Sequence, residues 1–190
     1  MAVNTNWYTM DNKVGVDLNN VQTISVTTEP SYPAANAVLG DRVQGNDGSE
    51  WIFVQASTTV SQYMAVAIDL NNRANNLTSA LVASNVYSYG LAQFRATQAN
   101  GGGAAGEFFW ALLKCASGAG INLAASAGRG VQLYISSGTA GAFTSSVTSN
   151  AIMGIALQAS IGTSASNPGE VAIRNYMLPA LNMSVAGATA

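Results

Sequence analysis

Asn46-Asp47-Gly48-Ser49-Glu50-Trp51-Ile52-Phe53-Val54-Gln55 decides how the rest of the chain is read. Asp and Gly at its head tolerate positive φ and favour a tight turn, and the aromatic and β-branched run that follows is a strong strand former. Together they predict a hairpin leading into a central strand. Further along, Met64, Val66 and Ile68 alternate with Ala65, Ala67 and Asp69 and stop at a second turn, Asn71-Asn72. The segment from Leu77 to Ala83 fits a helical face about as well as a strand, and Tyr89 to Phe94 resumes the strand pattern. Gly101 to Gly106 predicts a loop, because nothing in it can pack and glycine loses the most entropy on ordering. Glu107 to Leu113 then reads as a strand buried on both faces.

Four more alternating pieces follow: Ile121 and Leu123; Val131, Leu133 and Ile135; Ile155 and Leu157; Val171 and Ile173. Glycines at Gly118, Gly128, Gly130, Gly138, Gly141 and Gly162 punctuate them, and Asn167-Pro168-Gly169 has proline and glycine where a type II turn wants them. Strands at a spacing of roughly 10 residues, separated by glycine turns, predict an all-β chain folded as a compact β-barrel or sandwich domain. The expected organisation is an extended N-terminal arm over residues 1–38 and a β-barrel-like domain over 39–190 with a short C-terminal tail. The arm carries two short alternating pieces, Val14-Val16-Leu18 and Ile24-Val26. Its prolines Pro30 and Pro33 remove backbone donors and hold an extended path.

Composition narrows the function. Seven Lys and Arg and nine Asp and Glu among 190 residues make 8% charged, about a third of the usual fraction of roughly 25%. So little charge does little to hold neighbouring molecules apart, which favours obligate assembly into a larger particle over an extracellular low-charge soluble protein. There is no histidine, so the commonest general base and the commonest metal ligand are missing, and a single cysteine excludes an internal disulfide. A net charge of −2 with no basic cluster argues against a nucleic-acid surface. Met1 to Met10 lacks the basic and apolar regions of a secretory signal, and no stretch reaches the roughly 18 apolar residues of a membrane span. The chain is expected to be made in a cytoplasm and to touch no membrane.

Candidate chemistry is thin. Gly101 to Gly106 lacks the lysine of a phosphate loop and is followed by Glu107. Gly128-Arg129-Gly130 reads as a turn with a solvated arginine. Cys115 has no histidine to deprotonate it and reads as a small buried thiol. Asp41, Asp47 and Glu50 lie close in sequence, but their spacing does not match a calcium loop, and Asp47 is explained by its turn. No catalytic, cofactor or metal residue is expected. Trp51, Phe53, Phe108, Phe109 and Trp110 are core by pattern. Trp7, Tyr8 and Tyr32 stand outside the alternating segments, where large aromatics either anchor in a partner's pocket or fold back on their own barrel.

Leu39 to Ala56, followed by Val60 to Asp69, resembles the opening of small β-rich structural proteins of tailed bacteriophages, the capsid decoration or cement proteins. The shared pattern is a glycine turn, Asp-Gly, an aromatic strand Trp51-Ile52-Phe53-Val54-Gln55-Ala56, and a strand ending in Ala65-Val66-Ala67-Ile68-Asp69. Tyr89 to Gln93, Val131 to Ser136 and Ile152 to Ala156 also look similar, so the resemblance spans about residues 39–175. It implies a virion protein on the outer surface of an icosahedral capsid, bound to the major capsid protein and to itself as a homotrimer, stiffening the head by bridging. The N-terminal segment and the glycine run depart from the simplest members. Two rival expectations are a tail or fibre component that contacts the host, and a carbohydrate-binding β-sandwich with exposed Trp and Tyr as stacking platforms.

Overall fold

The computed structural model describes residue 18 and residues 38–45, 47–84, 88–93, 102–103, 107–124, 127–146, 152–157 and 169–179. It is an all-β fold, as the alternation predicts. In chain order the elements are β1 (Arg42–Gln44), β2 (Glu50–Ala56), β3 (Val60–Ser61), β4 (Ala65–Ile68), β5 (Arg73–Asn76), α1 (Ser79–Ser84), β6 (Ser88–Ala92), β7 (Gly102–Gly103), β8 (Phe108–Ile121), β9 (Tyr134–Ile135), β10 (Phe143–Thr144), β11 (Ile152–Leu157) and β12 (Gly169–Pro179). The main sheet runs β1-β2-β5-β4-β6-β8-β12-β11, and an additional pairing joins β2 to β8. That pairing closes β2, β5, β4, β6 and β8 into a five-stranded barrel. An odd ring cannot alternate direction all the way round, so one junction must be parallel. Here it is β2 with β5, where Gln55 stands opposite Arg73 and Ala56 opposite Ala74.

Side chains on a strand alternate between faces, and they sort into two clusters that share no member. Ile52, Val54, Ala56, Val66, Ile68, Ala74, Ala92, Phe109, Ala111 and Leu113 come from all five barrel strands and fill its interior. A small barrel has a narrow bore, so small residues are needed at close approaches. Gly90 is one such place: a Cβ there would lie 3.2 Å from Ala111 Cβ and 3.3 Å from Ile68 Cδ1. The outward face carries Trp51, Phe53, Trp110, Leu112, Leu91 and Tyr89, and it is buried too, under Leu77 and Val82 of the helical segment and Leu123, Leu133, Ile135, Phe143, Ile152, Val171 and Ile173. Phe53 stacks on Phe108 at 5.8 Å and tilts against Trp110 at 5.0 Å. Burial on both faces explains why β2, β4 and the first half of β8 are almost continuously apolar.

Four details differ from the sequence reading. Gly118 does not end a strand: β8 runs through it for 14 residues. Between Cys115 and Ala119 the strand takes four steps while β12 takes two, and Gly118 adopts φ 82 at this bulge. The missing Cβ lets β8 bend away from the barrel toward its pairing with β12. Second, part of the glycine run is paired, with Gly103 opposite Val60 and Gly102 opposite Ser61. Third, only Tyr134 and Ile135 of the 131–135 pattern form a strand, while Val131 is exposed. Fourth, Leu18, one of the two described residues of the expected arm, is buried among the outer-face side chains, so at that point the segment packs on the barrel. The ambiguous segment becomes α1, because Thr78 Oγ1 accepts from Leu81 N at 3.3 Å and caps the helix.

Candidate functional site

Among the described residues, the groups that could offer chemistry have structural roles or stand apart from one another. Cys115 is buried and loses its solvation, which pushes its thiol up to about 11, the opposite of an activated nucleophile. Its Sγ faces Val171 O at 3.9 Å. The three neighbouring carboxylates do not converge. Asp41 Oδ2 accepts from Val38 N at 2.9 Å, Asp47 Oδ1 from Ser49 N at 3.1 Å, and Glu50 Oε1 pairs with Lys114 Nζ at 3.4 Å. Among the described residues no group of three His, Cys, Asp or Glu side chains is placed to hold a metal. No helix among them is long and apolar enough to cross a membrane. At the tip 128–130, Gly128, Arg129 and Gly130 are all exposed, and Gly130 takes φ 76, as a glycine turn requires.

Trp51 and Trp110 are fully buried, so neither offers a stacking face for a sugar. Trp51 sits on a small polar knot instead: Nε1 donates to Ser49 Oγ at 2.6 Å, and Ser49 is itself fully buried. Gly45 N donates to Ser49 O at 2.8 Å and Gly48 N to Gly45 O at 3.0 Å, which fixes the β1–β2 turn over the indole. Trp7, Tyr8 and Tyr32, the candidate anchors, lie outside the described residues. An open groove of about 470 Å³ runs beside β1, lined by Arg42, Val43, Gln44 and Glu50. Three of those four side chains are polar.

A second feature lies where β4 finishes, alongside β2. Two turns meet there. In the β4–β5 hairpin, Asp69 N donates to Arg73 O and Asn72 N to Asp69 O, both at 3.0 Å, while Asp69 Oδ1 accepts from Asn71 N at 2.8 Å and Arg73 N at 2.9 Å. Asn72 takes the left-handed conformation, φ 59, which asparagine tolerates better than most residues. In the second turn Asp41 N donates to Val38 O at 2.9 Å, while the Asp41 carboxylate accepts from Val38 N. Both turns rest on β2: Gly40 N donates to Phe53 O and Gln55 N to Asn72 O. They also touch each other, since a Cβ on Gly40 would lie 2.6 Å from Asn72 Nδ2.

Leu70, 87% exposed, is at the corner of the first turn, and Val38, 73% exposed, is the opening residue of the second. Sequence reasoning passed over both, because an apolar side chain is taken by default as core. The signal that could have found Leu70 is its place directly after Asp69 in an Asp-Leu-Asn-Asn turn, where a polar residue serves the turn equally well. Compared with protein-family models, curated proteins and solved structures, the chain matches none.

Proposed function

We propose that this chain is a structural protein that works by attachment and not by turnover, binding the outer surface of an icosahedral phage head and stiffening it by bridging major capsid proteins. The observation that carries the reading is a barrel packed on both faces in a chain that is only 8% charged. Such a body is stiff, and it has little charge to keep it apart from neighbouring protein surfaces. A rigid clamp suits a shell under internal pressure: spanning a joint adds an interface that must break before the subunits separate. Many equivalent copies then multiply a modest affinity at each site. The resemblance of residues 39–175 to decoration proteins favours the head as the surface. The buried state of Trp51 and Trp110 weighs against the sugar-binding alternative.

The test is co-sedimentation of purified protein with undecorated heads, with isolated tails and with host cells. Saturable binding to heads, with a raised temperature of DNA release, is the expected result. Retention by tails or cells alone, with none on heads, would instead support the host-contact alternative.

A further inference from the structure

We draw no further inference here: the strongest candidate, the exposed surface patch of Leu70 and Val38 on the two turns beside β2, carries none, because nothing in the structure shows what covers it.

Discussion

The amide of Gln93 ties the end of β6 to the second half of β8, and two replacements of it differ in their pH behaviour. Gln93 follows the last residue of β6 and is buried. Its Nε2 donates to Gly120 O at 2.7 Å and its Oε1 accepts from Gly120 N at 2.8 Å, so the side chain pairs with β8 as a neighbouring strand would. Tyr63 packs its ring on the Cα of Gly120 and takes φ 65, and Asn122 N donates to Tyr63 O at 2.8 Å along the same edge. Gln93→Leu keeps most of the volume and leaves two buried main-chain groups unpaired. At about 1–3 kcal/mol for each, the loss is about 2–6 kcal/mol, a large share of the roughly 5–15 kcal/mol that holds a domain together.

Gln93→Glu keeps an acceptor for Gly120 N but sets a carboxylate against Gly120 O. Protonated, the acid donates to that oxygen and restores both bonds. Its folded pKa is therefore raised above the unfolded value of about 4.3. The stabilising contribution is complete below that value and is lost as the pH rises through the folded one. Urea unfolding followed by the fluorescence of the buried Trp51 and Trp110 reads the effect, with wild type measured at each pH. Gln93→Leu should be destabilised at both about pH 4 and about pH 7, and Gln93→Glu at the higher pH with recovery toward the lower. A wild-type midpoint for Gln93→Leu, or the same deficit for Gln93→Glu at both pH values, would refute the reasoning.

Ser49→Ala removes the buried hydrogen bond from the Trp51 indole and should cost about 1–3 kcal/mol in urea unfolding. Gly90→Val forces a branched side chain into the bore beside Ala111 and Ile68 and should lower stability by about 1–3 kcal/mol or more, read as a drop in melting temperature. Cys115 should resist thiol reagents in the folded protein and react on unfolding. Because burial raises its pKa from 9.0 to about 11, the stability held by the neutral thiol is complete below pH 9 and lost as pH climbs toward 11; Cys115→Ala should remove that alkaline step.

The strands that close the barrel were legible where a strong local signal marks them. Asp47-Gly48 before Trp51 announces a hairpin, and the aromatic runs in β2 and β8 announce buried strands. What the sequence could not tell was how the ring closes. The β2–β5 junction rests on Gln55, Ala56, Arg73 and Ala74, and nothing about those residues prefers a parallel partner. Gly118 misled for a related reason: the same freedom at positive φ serves a turn or a bulge, and only the partner strand decides which. The candidate site was invisible for a different reason. Leu70 and Val38 look like core residues in a chain with many of them, and only their place in exposed turns sets them apart.

Electron cryomicroscopy of heads incubated with the purified protein tests head attachment most directly. The account predicts added density on the outside of the shell, across joints between capsid subunits. Heads that show no added density at saturating protein, or protein found only on the tail, would contradict it.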